Sequence, residues 1–423
     1  MNNNNVYKVS ILSGFGGMLE FYDFILYIIF SSQISATFLQ NVQSEIVKNL
    51  ITVCIFSVAY IVRPIGGLLT GWLGDNIGRK KSFSLTILIM SVCIFLMGVM
   101  PSYDQIGVIA PILFIMLRVI QGLALGGELP GAIVFVYESV HKNRGIALGI
   151  LFGMVFLGFL LGDIMGDLLK HYFGAYAWRV GFISGSAIAL VGYFIRSKLH
   201  ETPMFMALEN KQKFPLFHIL KNNFSLQLGG IFNAMLVACN GVVVSLYISK
   251  YLQNHLNIPY FKFQNIAYAI SILNVIIIFL ASFLSDFVNV KKMYKLTTIL
   301  LALMSFPAFY LMSLGQISSI FMGWFMLTIL CGIGTGLFMK ILCDSFETNV
   351  RLTGVAMSYN LAFAFVGGVG PLAIELMIKS INNIAGPSIV CICCALMGYV
   401  SIRLTSQKNT NKKLNTQILT DKS

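Results

Sequence analysis

Gly71-Trp72-Leu73-Gly74-Asp75-Asn76-Ile77-Gly78-Arg79-Lys80-Lys81 concentrates charge in a chain where charge is scarce. Its glycines permit a tight turn and close helix approach. Asp75 and the three basic residues can pair across a gate in one conformation and release in another. A solvated basic anchor would account for the lysines and the arginine, but not for the Gly-x-x-x-Asp-x-x-Gly-Arg spacing. On either side lie apolar runs, at residues 47–71 and 82–100. A hydrocarbon core of about 30 Å needs about 20 such residues per helix. The 423 residues are 57% hydrophobic and 11% charged, against about 25% charged in an ordinary soluble protein. With a mean hydropathy of +0.82, a secreted scaffold, a disordered chain and a typical soluble enzyme are excluded.

Counting apolar runs between polar breaks gives an all-α, polytopic membrane protein with twelve transmembrane helices. They fall at roughly 11–35, 47–71, 82–100, 107–136, 146–169, 178–197, 224–250, 265–287, 294–314, 317–340, 354–378 and 385–404. The longest polar break, 198–223, divides the chain into six-helix bundles at 1–197 and 224–405, with a linker at 198–223 and a tail at 406–423. The first span is too long for a signal h-region and has no Ala-x-Ala site, so it is expected to stay in the mature protein. The eight cysteines lie mostly in apolar runs. Cys391-x-x-Cys394 reads better as helix packing than as a redox or metal pair, and neither a disulfide, a metal nor a cofactor is expected.

The net charge is +13. Its basic residues fall between apolar runs rather than on one face, which favours orientation in a bilayer over nucleic-acid binding. With the N-terminus inside, 20 Lys and Arg are cytoplasmic and six external, and Arg63, Arg118 and Lys340 lie within or at the ends of spans. Both termini are therefore expected in the cytoplasm, at a cell (inner) membrane.

The two halves repeat. Leu73, Asp75, Lys80 and Lys81 recur 211 residues later as Leu284, Asp286, Lys291 and Lys292. Glu138, Gly145 and Ala147 recur 209 residues later as Glu347, Gly354 and Ala356. Pseudo-symmetric six-helix halves around a central cavity are a transporter architecture.

Arg118, Gln121 and Glu128 share one side of span four. An ionised side chain at mid-membrane costs about 2.5–3.5 kcal/mol or more, so Arg118 should face a wet cavity or a partner. It is a candidate substrate residue or a structural ion pair. Glu128 lies about 15 Å further along that helix, in the cytoplasmic half of the pathway. Glu20, Asp23 and Tyr27 line one stripe of span one, with Asp23 at the depth of Arg118. Two acids on one stripe repel, which suits a proton carrier; an ion pair without proton traffic is the alternative. All five histidines fall in loops or at interfaces, so proton coupling would run on carboxylates.

Glycines at 149, 153, 158, 162 and 166 give span five a face for close packing or sliding. Asp163 and Asp167 should face water at the outer mouth. Arg63-Pro64 and Gly367-Gly368-Val-Gly370-Pro371 mark backbone breaks, either hinges or kinks.

The Asp75 loop resembles the signature of the major facilitator superfamily. The runs Leu19-Glu-Phe-Tyr-Asp23-Phe, Arg63-Pro-Ile-Gly-Gly67, Arg118-x-x-Gln-Gly-x-x-x-Gly-Gly-Glu128, Glu201-Thr-Pro203, Arg351-Leu-Thr-Gly354 and Tyr359-Asn360 are similar to its metabolite:proton symporter branch. That branch includes the proline/betaine, α-ketoglutarate, citrate and shikimate permeases. The resemblance covers residues 10 to 405. It implies uptake of a small polar or anionic metabolite with protons, by alternating access. It departs at Ser285-Asp286-Phe-Val-Asn-Val290-Lys291-Lys292, where the Gly-Arg is lost and a weaker gate is expected. It departs again at Leu129-Pro130-Gly131, where relatives carry an aromatic and glycines. The tail shows no heptads, so osmotic activation is not assumed.

The expectation is a proton-coupled importer of a proline/betaine-like osmolyte or a carboxylate, and not an enzyme. Asp23, Glu20 and Glu128 are its proton candidates. Arg118, Gln121, Tyr27, Tyr359 and Asn360 are candidate substrate residues, and Gly71, Asp75, Gly78, Arg79, Lys80 and Arg351 form the gate. A proton-independent exchanger, facilitator or metabolite/drug exporter of the same fold is the alternative. The partners are the metabolite, protons and the lipid bilayer, without nucleic acid, and a monomer is expected.

Overall fold

The computed structural model describes residues 3–41, 44–140, 142–209, 211–382 and 384–420. Side chains are described from Tyr7 to Thr405, except at 45–47, 49–50, 52–54 and 56–57. His141, the side chain of Cys54 and the last three residues of the tail lie outside that set.

In hydrocarbon every backbone N–H and C=O must be satisfied within the segment, which leaves helices as the spanning element for a chain of this pattern. The described residues contain helices and no strand. The long helices are α1 Asn3–Ile29, α2 Glu45–Asn76, α3 Arg79–Val99, α4 Ile109–Ser139, α5 Arg144–Phe173 and α6 Ala177–Ser197. They continue with α7 Phe224–Asn254, α8 Tyr260–Leu284, α9 Val290–Ser313, α10 Ile317–Ser345, α11 Thr348–Ser380 and α12 Ala385–Thr420. Ten described stretches are long and apolar enough to cross a membrane; one of them, Arg144–Ser197, holds both α5 and α6. Large apolar side chains such as Ile61, Leu303 and Leu372 stand more than half exposed, as they would against lipid.

Three boundaries differ from the sequence reading. Gly71 and Gly74 lie inside α2, and the turn is made at Gly78, whose φ of 140° only glycine adopts readily. Pro64 does not break α2, which runs on through it. Breaks occur instead within α7, where Asn240–Tyr247 is π-helical, and within α11, at Ala364–Val369. The second coincides with the expected glycine run. The first carries no proline and one glycine, too little signal to be read.

Glycine faces set which helices meet. On α5, a Cβ at Gly158 would strike the backbone of Met18 and one at Gly162 the side chain of Ile25, so this stretch lies directly on α1. Gly145 and Gly149 of the same helix face Ser282 of α8. On α2, Gly67 faces Asn360 and Gly71 faces Thr353, both of α11. The two sequence halves thus meet along α2–α11 and α5–α8.

Candidate functional site

Two clusters contain most of the sequence-selected residues. The first surrounds a small cavity lined by Glu20, Asp23, Phe24 and Tyr27 of α1, Ala59, Tyr60 and Arg63 of α2, and Arg118 and Leu125 of α4. The i, i+3, i+7 stripe of α1 faces inward because its other face is taken by α5. Asp23 Oδ2 lies 3.3 Å from Arg118 Nη1 and accepts a 2.8 Å hydrogen bond from Gln121 Nε2, while Arg118 donates to Gln121 Oε1 at 2.9 Å. The Arg118 guanidinium sits 4.1 Å from the Tyr27 ring centre, where the negative face of the ring favours a cation. Asp23, Arg118 and Gln121 are all buried.

Glu20 does not share the Asp23 environment. It pairs with the buried Arg63, a residue read from the sequence as part of a break and of a family-like run, not as a site residue. Arg63 lies 5.0 Å from the Tyr60 ring and 6.0 Å from Phe363 of α11. It therefore reaches the second half of the chain. A lone arginine before a proline gave no sign of a partner 43 positions upstream.

Four charged side chains here leave atoms without a hydrogen-bond partner: Glu20 Oε2, Asp23 Oδ1, Arg63 Nε and Nη1, and Arg118 Nε and Nη2. Tyr359, its ring tilted against Phe363 with centres 4.5 Å apart, likewise has a buried hydroxyl with no partner. Buried polar atoms left this way are costly. The four charged side chains line one small cavity, which is what a ligand site requires, with carboxylate oxygens and guanidinium N–H groups both on offer.

Other candidates sit elsewhere. Asn360 donates to Gly126 O at 2.6 Å and Ala356 O at 2.8 Å, joining α11 to α4. Glu128 is fully buried, 2.6 Å from Arg196 Nη2, and accepts from Thr86 Oγ1 at 2.7 Å. Arg196, near the end of the sixth apolar run and counted with the cytoplasmic charges, is thus an interior partner that also donates to Ser13 O and Phe83 O. Arg79 and Arg351 are buried as well. These three arginines tie helices together in addition to weighting one side of the membrane. Asp163 is half-buried and Asp167 exposed; Asp167 accepts from Tyr268 at 3.1 Å across the α5–α8 contact.

The second cluster closes one end of the molecule. Asp75 pairs with Arg79 and accepts from the backbone N–H of Leu352 at 3.2 Å, from the N–H of Thr353 at 2.9 Å and from the Thr353 hydroxyl at 2.6 Å. A carboxylate at the start of α11 satisfies N–H groups that the helix itself cannot. Arg79 also lies 3.1 Å from Glu138, which is held by Arg351 at 2.7 Å and Thr202 at 3.0 Å. Asp75, Arg79 and Arg351, the gate candidates, therefore meet in one network spanning both halves, and Glu138 is its hub. Lys80 contributes its backbone N–H, donated to Glu201 at 3.1 Å.

The repeat preserves this device. Asp286 accepts from Gly145 N at 2.9 Å and Ile146 N at 3.1 Å, at the start of α5. The arginine missing from this loop is replaced by Lys340 of α10, whose Nζ is 3.0 Å from Asp286. The loss of the Gly-Arg motif has changed the cation, not removed it.

The family model of the Major Facilitator Superfamily matches residues 14–371. The chain belongs to that superfamily. This superfamily member is a multi-pass membrane transporter rather than an enzyme. It is similar to the proline/betaine transporter of Escherichia coli (strain K12), 28% identical over 426 residues that cover 96% of this chain and 84% of the relative. Among solved structures, a double-tryptophan XylE mutant aligns with a TM-score of 0.78 at 18% identity, covering 96% of each chain. The proton:xylose symporter XylE bound to 6-bromo-6-deoxy-D-glucose aligns at 0.74 and 17%, covering 95% of each. At these identities the two structures establish the fold alone.

Proposed function

We propose that this transporter imports a small metabolite carrying a carboxylate, with protons, by alternating access between two six-helix bundles built from twelve spans. The best-fitting substrate is a zwitterion of the proline or betaine kind, with a carboxylate anion as the next candidate. The supporting observation is the pair of ion pairs, Glu20–Arg63 and Asp23–Arg118, on one cavity with unpartnered atoms on all four groups. Two acids and two guanidiniums make the cavity neutral, so a neutral zwitterion enters without leaving an uncompensated charge. Its carboxylate fits the guanidinium N–H groups, and its cationic end fits the carboxylates and the Tyr27 and Tyr60 rings.

Coupling follows from sharing Arg118. A proton on Asp23 frees the guanidinium for the substrate carboxylate, and release of both restores the internal pair. In this reading the Asp75–Arg79–Glu138–Arg351 network is the closed cytoplasmic gate, the orientation that the basic-residue count favours. The relative's name, proline/betaine transporter, agrees with the substrate class.

The test is uptake of labelled proline, betaine, α-ketoglutarate, citrate and shikimate into proteoliposomes under an imposed proton gradient. Asp23→Asn should abolish gradient-driven uptake while the protein remains inserted; full uptake in that variant refutes the coupling role. A proton-independent exchanger is the second reading, favoured by a cavity already neutral without a proton. Counterflow unchanged by collapse of the gradient in the wild-type protein would establish it.

A further inference from the structure

We infer that the groove between α9 and α12 binds the headgroup of an anionic phospholipid. At the gate end of that groove, Tyr399 lies between two cations: Lys295 Nζ is 5.0 Å from its ring centre and the Arg403 guanidinium 5.6 Å. Both cations are exposed, and among the described residues neither is in an ion pair. Arg79, Arg351 and Lys340, by contrast, have acids: Arg79 and Arg351 have Glu138, and Lys340 has Asp286. Two like charges sharing one tyrosine repel, and an anion between them relieves that repulsion.

The surroundings identify the anion as a lipid. Leu296 of α9, next to Lys295, and Val400 and Leu396 of α12, about one and two turns before Arg403, stand 57%, 41% and 54% exposed. The helices meet closely there, since a Cβ at Gly398 would touch Thr298. Two cations at the end of an apolar wall fit a phosphate with acyl chains running along the helices; a soluble anion would gain nothing from that wall. Basic pockets between transmembrane helices at the cytoplasmic surface take such headgroups. This inference does not depend on which metabolite is carried.

The experiment is native mass spectrometry of the detergent-purified full chain, delipidated and titrated with phosphatidylglycerol or phosphatidylcholine of the same acyl chains. Wild-type protein should retain phosphatidylglycerol selectively. The double variant Lys295→Gln/Arg403→Gln should retain it about thirty-fold more weakly, at roughly five-fold per basic side chain near an anionic surface. The control, Lys198→Gln/Lys221→Gln, removes two other exposed lysines and should leave retention unchanged. Equal loss in the control means a diffuse charge effect and overturns the site. Complete displacement of the lipid by inorganic phosphate at equal concentration overturns the lipid assignment in favour of a soluble anion. Equal retention of phosphatidylcholine overturns the headgroup chemistry.

Discussion

Before residue 198 the described buried polar side chains include, away from the Asp75 network, three ion pairs: Glu20 with Arg63, Asp23 with Arg118, Glu128 with Arg196. After residue 223, away from the gate, they are amides, hydroxyls and thiols. Asn240 donates to Asn274 at 3.2 Å and to Thr335 at 3.0 Å, Gln227 donates to Ser358 at 3.0 Å, and Cys239 lies 3.7 Å from Cys391. Asn274 stands 211 positions after Arg63, the offset of the Asp75 repeat, so an amide occupies in the second half the position of a guanidinium in the first. Both chemistries join helices in a medium without water. Only the ionic one can change charge state or exchange a partner for a charged solute, and it does so at a higher desolvation cost. In the proposed function the first half would therefore supply the recognising charges, and the second would be closer to scaffold.

That contrast breaks most visibly in transport. Arg118→Gln should lower uptake about a hundredfold, by losing charge-assisted bonds worth roughly 3 kcal/mol. Asn274→Ala should leave uptake within about threefold, because an amide–amide bond between helices is worth roughly 0.6–2 kcal/mol of packing. Rates per inserted molecule in proteoliposomes check both, and comparable losses in the two variants would erase the division of labour.

A second effect is expected in stability. Glu128→Ala strands Arg196 in the interior and should cost about 3–5 kcal/mol, whereas Glu128→Met with Arg196→Met should recover most of that. Thermal unfolding in detergent measures it. A double variant no better than the single one would show that the pair has a role beyond satisfying itself.

The smallest effect sharpens the comparison at the gate. Lys340 is 23% exposed beside Asp286, while Arg79 is buried beside Asp75. Lys340→Ala should cost about 1 kcal/mol or less, well below Arg79→Ala, which leaves Asp75 and Glu138 short of a cation. Equal shifts in unfolding temperature would mean that the two loops carry equal load.

Much of the site was legible because its signals are local. Asp23 and Tyr27 recur at helical spacing, and Arg118 is too costly in an apolar run to face lipid, so both stripes could be turned toward a common interior. Glu20 and Arg63 were not legible as a pair, because nothing near either residue names the other. The same holds for Glu128 and Arg196, a pathway candidate and one of the charges counted on the cytoplasmic side, until α4 and α6 are set side by side. Lys340 was passed over for a related reason. Its role comes from reaching Asp286 across a helix boundary, after the local Gly-Arg had disappeared.

The amino-acid sequence by itself determined that this chain is helical and lives in a bilayer, that it repeats once, and that its charged residues gather in a few short motifs. Those properties follow from composition, period and spacing, which depend on how each short stretch meets lipid or water. The tertiary structure decided which acid meets which arginine, that Asp75 and Asp286 each dock on the start of a helix from the other half, and that Asn360 joins helices outside the cavity. Partner choice among buried charges depends on which distant segments come within a few ångströms, where a low dielectric makes each pairing strong and each mispairing costly.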